Sequence, residues 1–226
     1  MRPPSVAVLV PAAGVGVRMG GVRKPFIEIG GRSMLHRALS PFLARDDVVE
    51  VVVALGAEGG TGGVVGPDGR VRVVGGGDSR FGSVAVALDH MTSDANVIAV
   101  HDAARPFPPP GVIDACIRLA AEGCGAVAGI PAIDTVKRTD DAGRIVETPL
   151  RETLWYAQTP QAFPRGLFAR AVAHCREAGL SPTDDASMAE ALGAEVRMVP
   201  ASGRNLKITR PADVVIAEAY LAQGFV

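Results

Sequence analysis

A glycine-rich loop followed by two cations is the first stretch of the chain that could do chemistry. It reads PAAGVGVRMGGVRKPF from Pro11 to Phe26, with Arg18 and Lys24 as basic residues. Small side chains, here at 12–14 and 16, let backbone N–H groups approach an anion closely. Arg18 and Lys24 could then flank a triphosphate, although an ordinary strand-to-helix turn with solvated cations would have the same composition.

This loop matches neither of two familiar phosphate-binding signatures. Met19 stands where the dinucleotide fingerprint GxGxxG needs its third glycine. In the P-loop pattern GxxxxGK[ST], Gly16 and Gly21 fit, but Val22 and Arg23 follow where a lysine and a hydroxyl residue are required. The loop therefore predicts an anion site of another kind.

Three later polar clusters follow or form short predicted strands. Asp78 and Ser79, in the GGGDSR segment, could bind the edge of a base or a sugar, or could cap the next helix. Asp102, in HDAARP, ends a buried strand and so needs a metal, a hydroxyl or a cation, with Arg105 as one candidate. Lys207, in NLKITRP, lies in an apolar run, where lysine is unusual unless the strand edge faces water.

Nothing in the sequence resembles a nucleophile with its own general base. His101 is more typical of a structural polar residue than of a catalytic base, because no serine or cysteine set accompanies it. The cysteines at 116, 124 and 175 lack CxxC spacing. The absence of this spacing, with an odd number of cysteines, argues against disulfides and a zinc site and favours a reducing compartment.

The composition excludes several classes of function. The chain has 226 residues, a net charge of −1 and 4% aromatic residues. It therefore offers neither the basic surface nor the stacking platforms of a nucleic-acid-binding protein. No apolar stretch reaches the roughly 18–20 residues of a membrane helix, and the N-terminus lacks a signal-peptide pattern. We expect a soluble, cytoplasmic protein with no nucleic-acid or membrane partner.

The elements that would position these residues alternate between buried strands and helices. The predicted strands are 5–10, 48–55, 70–74, 96–100, 126–130 and 195–199, and the predicted helices begin at 33 or cover 81–91, 110–121, 164–177, 184–192 and 211–221. This βαβα order predicts one α/β domain over residues 1–226, Rossmann-like, with a mostly parallel twisted sheet and helices on both faces. Ligands bind at the carboxyl ends of such strands, where the polar loops fall.

Residues 131–158 are predicted to form a projecting β-hairpin arm. TVKRT and RIVET indicate two short strands around a turn at 141–143. Both faces of this hairpin are polar, and a two-stranded ribbon is marginally stable alone in water. A second copy of the chain is the simplest supporting surface, so we expect a homodimer formed through this arm.

Seven motifs in a fixed order give the chain a resemblance to a known family. They are PAAGVGVRM, GGDSR, VHDAARP, DTVK, QTPQAF, TDDAS and NLKITRP, and they extend over almost the whole chain. On these motifs the sequence resembles bacterial 2-C-methyl-D-erythritol 4-phosphate cytidylyltransferases of the non-mevalonate isoprenoid pathway. The resemblance implies transfer of CMP from CTP to 2-C-methyl-D-erythritol 4-phosphate with Mg²⁺ or another divalent cation. The implied products are 4-diphosphocytidyl-2-C-methyl-D-erythritol and pyrophosphate.

The resemblance also implies roles for individual residues. Those implied in catalysis are Arg18, Lys24, Arg151 and Lys207. Those implied in CTP binding are Pro11, Ala12, Ala13, Gly14, Gly16, Gly77, Asp78 and Ser83. Those implied in binding the second substrate are Asp102, Arg105, Thr135 and Thr159, with Asp102 also a possible contact for the metal. In the family the arm exchanges across a homodimer, so Thr135 and Arg151 would serve the neighbouring subunit's site.

The implied reaction is an in-line displacement, which accounts for the lack of a recognisable nucleophile. The attacking phosphate is already an anion, so the protein has to position the substrates and neutralise developing charge. A pentitol phosphate acceptor would suit the same triphosphate loop, and the 135–159 region would separate the two. Met19 disfavours a redox protein on a dinucleotide fold, and a nucleotide-sensing or scaffold protein without turnover is a further alternative.

Overall fold

A seven-stranded sheet forms the centre of the molecule. The structure, a computed structural model, describes residues 3–14, 23–56 and 68–226. Its strands are β1 (Val6–Ala12), β2 (Glu28–Ile29), β3 (Arg32–Ser33), β4 (Val48–Leu55), β5 (Val71–Gly75), β6 (Val97–Val100), β7 (Gly125–Pro131), β8 (Arg138–Thr139), β9 (Ile145–Glu147), β10 (Trp155–Pro164) and β11 (Val196–Pro200). Its helices are α1 (Met34–Leu43), α2 (Arg80–Asp89), α3 (Pro110–Ala121), α4 (Arg165–Glu177), α5 (Asp185–Glu190) and α6 (Pro211–Ala222), with 3₁₀ turns at Lys24–Phe26 and Arg151–Thr153.

The central sheet is mostly parallel, as the alternation of strands and helices predicts. Its order is β11-β7-β10-β6-β1-β4-β5. β1 lies between β4 and β6 and is parallel to both, and the β4–β5 and β7–β11 pairs are parallel as well. β1 and β4 are buried on both faces, which explains their almost continuous apolar sequences. The predicted α/β class is confirmed.

β10 is the strand of the sheet that the sequence does not predict. It runs antiparallel to both of its neighbours, β6 and β7. Trp155 pairs with Pro131 and Ala157 pairs with Gly129. Residues 155–158 therefore lie in the sheet, and the expected end of the arm at 158 is corrected to about 154. Proline in QTPQAF hid the strand because it interrupts a hydrogen-bond ladder, and the register does shift between Ala157 and Gln161.

Helices cover both faces of the sheet, as predicted. On one face α1 and α3 contribute Phe42 and Ile117 to an apolar core. On the other face α4 and α5 contribute Phe168 and Met188, together with residues of α2. A third, smaller cluster around Ile208 packs α6 and the segment before it against the domain. None of the helices in the described ranges is long and apolar enough to cross a membrane.

Residues 132–154, called the ribbon segment below, contain a separate two-stranded sheet of β8 and β9. The carboxylate of Asp140 closes its turn by accepting hydrogen bonds from the N–H groups of Ala142 and Arg144. Gly143 has a φ of 77°, a left-handed conformation that favours glycine. Most side chains of this segment are exposed. The turn therefore forms from local hydrogen bonds with little support from the core.

Candidate active site

A cleft of about 670 Å³ opens along the carboxyl edge of the sheet. Its walls are the segments that follow β1, β4, β5 and β6, where a doubly wound sheet binds ligands. The segment before α6 also reaches this cleft. The lining residues are Pro11, Ala13, Gly14, Gly56, Gly76, Gly77, Asp78, Ser79, Arg80, Ser83, Asp102, Ala103, Ala104 and Lys207.

Glycines shape the cleft where β5 ends. A Cβ at Gly76 would overlap the Cβ of Ala13, and a Cβ at Gly77 would lie 2.6 Å from the carbonyl carbon of Gly82. The Gly76 N–H donates to the Leu55 carbonyl at 2.5 Å, which joins this loop to β4. Only glycine fits this packing, so the loop presents backbone to the cleft, as close approach of a nucleotide requires.

The cap of α2 leaves Asp78 facing the cleft. Ser79 is the N-cap, and its hydroxyl accepts a hydrogen bond from the Gly82 N–H at 2.9 Å. Ser79 therefore has the capping role that the sequence could have assigned to either residue, while Asp78 is exposed on the cleft lining. The Ser83 hydroxyl donates to the Ser79 carbonyl at 2.9 Å and ties this cap to the helix.

Asp102, at the end of β6, is held by two cations. Its Oδ1 lies 3.0 Å from Arg80 Nε, and its Oδ2 lies 2.7 Å from Lys207 Nζ. Burial alone would raise the pKa of Asp102, but Arg80 and Lys207 outweigh it and hold that pKa well below its usual range. The carboxylate is therefore a fixed anion that positions a lysine at the cleft.

Arg80 joins Asp102 to a second buried carboxylate, Asp185 at the start of α5. Arg80 Nη1 and Nη2 lie 3.1 and 2.6 Å from the two carboxylate oxygens of Asp185, a bidentate pair. Burial raises the pKa of Asp185, and Arg80 opposes that shift. Asp185 belongs to the TDDAS motif but has no role predicted from the sequence, because it lies 105 residues from Arg80 along the chain.

A line of hydrogen bonds behind Asp102 fixes its backbone. His101 Nε2 lies 3.0 Å from the Arg105 carbonyl, which can only accept, so Nε2 carries the proton. Nδ1 is then an acceptor, and the Thr159 hydroxyl donates to it at 3.0 Å. The same hydroxyl oxygen accepts from the Asp102 N–H at 3.0 Å. Burial lowers the pKa of His101 to about 4, so the ring is neutral at neutral pH and has the structural role that the sequence indicates.

Arg105 and Thr159 lie beneath the wall of the cleft. Both are buried. Arg105 Nη1 donates to the Asn205 carbonyl at 2.7 Å, and Asn205 Nδ2 donates to the Thr159 carbonyl at 2.9 Å. Arg105 thus ties the loop after β6 to the segment that carries Lys207. The cations within salt-bridge distance of the Asp102 carboxylate, among the described residues, are Arg80 and Lys207.

Four other predicted residues do not line the cleft in the described part of the chain. Ala12 is buried in β1, and Lys24 begins a 3₁₀ turn. Thr135 and Arg151 are exposed on the ribbon segment, where Arg151 Nη1 donates to the Ile133 carbonyl at 3.1 Å. The predicted residues that lie outside the described ranges are Gly16 and Arg18.

The donor set for a metal ion is small in this cleft. Within residues 3–14, 23–56 and 68–226, no group of three or more His, Cys, Asp or Glu side chains is arranged to hold a metal ion. Both oxygens of Asp102 already contact cations. A divalent cation would therefore take most of its ligands from substrate phosphates and water.

Known proteins are similar in sequence to almost the whole chain. A model of the family described as IspD: 2-C-methyl-D-erythritol 4-phosphate cytidylyltransferase matches residues 6–223. The chain is 42% identical over 234 residues to a protein of that description from Solibacter usitatus, with 96% of each chain covered. It is 43% identical over 223 residues to one from Deinococcus radiodurans, covering 96% of this chain and 89% of the relative.

Solved structures are similar over almost the whole chain. The 2-C-methyl-D-erythritol 4-phosphate cytidylyltransferase of Thermus thermophilus has a TM-score of 0.81 at 34% identity, covering 97% of this chain and 98% of that one. The 4-diphosphocytidyl-2C-methyl-D-erythritol synthase of Anaerococcus prevotii has a TM-score of 0.83 at 25% identity, with 97% and 96% covered.

Proposed function

Because the chain belongs to the 2-C-methyl-D-erythritol 4-phosphate cytidylyltransferase family, we propose that it transfers the CMP group of CTP to 2-C-methyl-D-erythritol 4-phosphate. A phosphate oxygen of the acceptor forms a bond to the α-phosphorus of CTP. The bond from that phosphorus to the oxygen bridging to the β-phosphate breaks in line. Pyrophosphate leaves, and 4-diphosphocytidyl-2-C-methyl-D-erythritol is the other product.

The observation that carries this proposal is a cleft in which glycine backbone and positioned cations lie together. Gly76 and Gly77 allow close approach of a nucleotide, and Lys207 is held at the cleft by Asp102. The described residues of the lining show no nucleophile paired with a general base, which covalent catalysis would need. None is required, because the acceptor phosphate is already an anion and the task is to position it and neutralise charge.

The described cleft residues, together with Arg18 and Lys24 from the segment after β1, then have chemical roles. Lys207 supplies positive charge to the acceptor phosphate, and Asp102 accepts hydrogen bonds from acceptor hydroxyls. Asp78 and the backbone at Gly77 contact the nucleoside of CTP. Ser83 supports this loop through the cap of α2. Arg18 and Lys24 follow β1 and supply charge to the triphosphate.

Mg²⁺ accompanies CTP in this proposal. The described residues fit it as a companion of the triphosphate and offer no cage of their own, because both Asp102 oxygens contact cations. When bound, the ion supplies positive charge to phosphate oxygens and holds them in one geometry.

A homodimer through the ribbon segment completes the site in this proposal. Ile133, Ile145 and Leu150 are 79%, 63% and 68% exposed on this segment, an apolar surface that a partner would cover. Thr135 and Arg151 do not line the cleft of their own chain. A second copy gives the apolar residues cover and brings Thr135 and Arg151 to the partner's cleft. A dimeric mass by light scattering supports this assembly, and a monomeric mass at working concentration contradicts it.

The decisive experiment is pyrophosphate release by the purified chain with CTP, 2-C-methyl-D-erythritol 4-phosphate and Mg²⁺. Other nucleoside triphosphates and pentitol phosphates serve as matched alternatives, and EDTA tests the metal. We expect the highest kcat/KM with the first pair and loss of activity with EDTA. Faster turnover of a pentitol phosphate would change the acceptor, and binding of CTP without any turnover would favour a nucleotide sensor.

A further inference from the structure

We propose that Asp185, which does not line the cleft, is a positioning residue for Lys207: it neutralises Arg80, so that Asp102 keeps one carboxylate oxygen for the lysine. This inference rests on the proposed function, in which Lys207 binds the acceptor phosphate. The four side chains form one continuous line, Asp185–Arg80–Asp102–Lys207, in which the ion-pair distances are 2.6, 3.0 and 2.7 Å.

The charges in this line alternate and cancel. The side chain of Asp185 is 1% exposed, that of Asp102 is 10% exposed and that of Lys207 is 43% exposed. The side chain of Arg80 is 28% exposed, and a partly buried guanidinium of this kind is stabilised by a carboxylate partner, because an uncompensated charge away from water is costly. With Asp185 present, Arg80 has its own anion and uses only Nε on Asp102. The charge of Asp102 is then shared with Lys207 at the other end of the carboxylate.

The hydrogen bonds of the Asp185 carboxylate go to Arg80 and not to its own helix. Asp184 is the N-cap of α5 and accepts a hydrogen bond from the Ser187 N–H at 3.1 Å. Gln161 Oε1 accepts from the N–H groups of Asp185 and Ala186 at 3.0 and 2.8 Å. Both carboxylate oxygens of Asp185, in contrast, contact Arg80. The helix is fixed by its neighbours, and the Asp185 carboxylate is directed at the arginine.

Replacing Asp185 with the isosteric asparagine separates charge from shape. In Asp185→Asn, Arg80 loses its compensating charge and competes with Lys207 for Asp102. Lys207 is the weaker competitor, since it is more exposed and is a single-point donor, whereas the guanidinium can take both oxygens of a carboxylate. The lysine ammonium is then released from Asp102 towards solvent. Asp184→Asn is the control for the helix itself, because Asp184 caps α5 and accepts from Gln161 Nε2 at 3.0 Å but has no ion pair with Arg80 among the described contacts.

The first test measures the lysines and does not depend on activity. The chain has three lysines, Lys24, Lys137 and Lys207. Trace labelling of the complete protein with an amine reagent, followed by peptide mass spectrometry, gives the reactivity of Lys207 relative to the exposed Lys137. We expect this ratio to rise about two- to fivefold in Asp185→Asn, the effect of losing a partly exposed ion pair. The ratio stays at the wild-type value in Asp184→Asn. An unchanged ratio in Asp185→Asn overturns the proposal.

The second test separates positioning from general stability. We expect kcat/KM for the acceptor to fall about tenfold in Asp185→Asn, because Lys207 no longer has one position, while KM for CTP stays within about twofold. Arg80→Lys keeps the charge but cannot bridge two carboxylates, and should give the same split if Asp185→Asn fails to fold. An equal fall of kcat/KM for the acceptor in Asp184→Asn would show that Asp185 only stabilises the fold. A wild-type chain without turnover defeats the proposed function and leaves the labelling result to decide this inference.

Discussion

The cleft and the ribbon segment differ in how deeply their paired charged side chains are buried. At the cleft, Asp185, Arg80 and Asp102 pair in succession, and the two carboxylates are at most 10% exposed. On the ribbon segment, the pair of Arg144 with Asp140 leaves 81% of the arginine side chain exposed. Buried charges keep one geometry because each needs its partner, whereas exposed charges exchange partners with water at little cost. The described charges of the cleft therefore have one arrangement within this chain, whereas those of the ribbon segment are not held in this way.

This difference separates two ways of building a site. A prearranged cleft suits chemistry in which the protein positions substrates and neutralises charge, since little reorganisation is needed at the moment of reaction. The ribbon segment instead exposes Thr135 and Arg151 together with apolar side chains. In the proposed dimer, each cleft receives its last residues from the partner. Four predictions test this contrast, from the largest expected effect to the smallest.

Removal of a cleft cation has the largest expected effect. We expect Lys207→Ala to lower kcat by about 10² or more, because a preorganised charge that meets the phosphates is lost. The family resemblance implies a similar loss for Lys24→Ala, although Lys24 does not line the described cleft. Pyrophosphate release at saturating substrate measures the effect. Lys137→Ala removes an exposed lysine of the ribbon segment and should leave kcat near the wild-type value. Near-normal release by Lys207→Ala would take this cleft cation out of the mechanism.

A mixture of two inactive variants tests whether the ribbon segment acts across a dimer. Arg151→Ala and Lys207→Ala should each be nearly inactive alone. After subunit exchange of an equal mixture, half of the dimers are mixed, and each mixed dimer has one intact site, so about a quarter of wild-type activity should return. Activity of the mixture against the separate variants measures this recovery. No recovery, despite exchange shown by mass spectrometry of tagged chains, would place Arg151 in the site of its own chain.

Acid should destabilise the cleft region through His101. The pKa of this ring falls from 6.5 to about 4 on burial, so the unfolded chain binds a proton that the folded chain excludes. This stability is complete above pH 6.5 and is lost as the pH falls towards 4, by about 2 kcal/mol at about pH 5. The lowered pKa of Asp102 contributes only below its ordinary value of 3.8.

The measurement is the free energy of unfolding in urea from neutral pH to about pH 5. His101→Gln should flatten the pH dependence over this range, and the exposed His90 replaced by Gln should leave it as in the wild type. A wild-type slope in His101→Gln would assign the acid loss to other groups.

Removal of the exposed pair on the ribbon segment has the smallest expected effect. Arg144→Gln should change the free energy of unfolding by less than about 0.5 kcal/mol, because an exposed ion pair is screened and mobile. Thermal unfolding and light scattering together measure this. A loss of unfolding free energy well above that value would show that the pair is covered in the dimer. The difference in burial between the two regions would then be smaller than it is in the single chain.

The sequence predicts the parts of the site that depend on local patterns. The apolar runs of β1, β4 and β6 place the loops after them at one edge of the sheet, and the residues after β6 bring Asp102 to the cleft. From the sequence, either Asp78 or Ser79 could be the N-cap of α2, and the structure shows that it is Ser79. These features are set by residues close in the chain, so periodicity and cap preferences are enough to find them.

The rest depends on contacts between distant residues. The partner of Arg80 is Asp185, which local spacing cannot reveal. The residues of β10 combine glutamines with prolines, so no period of two or 3.6 residues marks them as a central strand. Thr159 has a hydroxyl that could have faced a substrate, but β10 turns it towards His101 inside the wall. Of these features the sequence predicts only Thr159 as a site residue, and the fold shows what its side chain contacts.

β10 also determines when a growing chain can become a folded domain. The ribosome delivers β1, β4, β5 and β6 by residue 100 and β7 by residue 131, but β10, which lies between β6 and β7, follows only at 155–164. Before then, β6 lacks a neighbour on one edge, and β7 has neither of its sheet partners. Unpaired edges of apolar strands are prone to aggregation, so a nascent chain of about 150 residues is the stage at which chaperones should matter most.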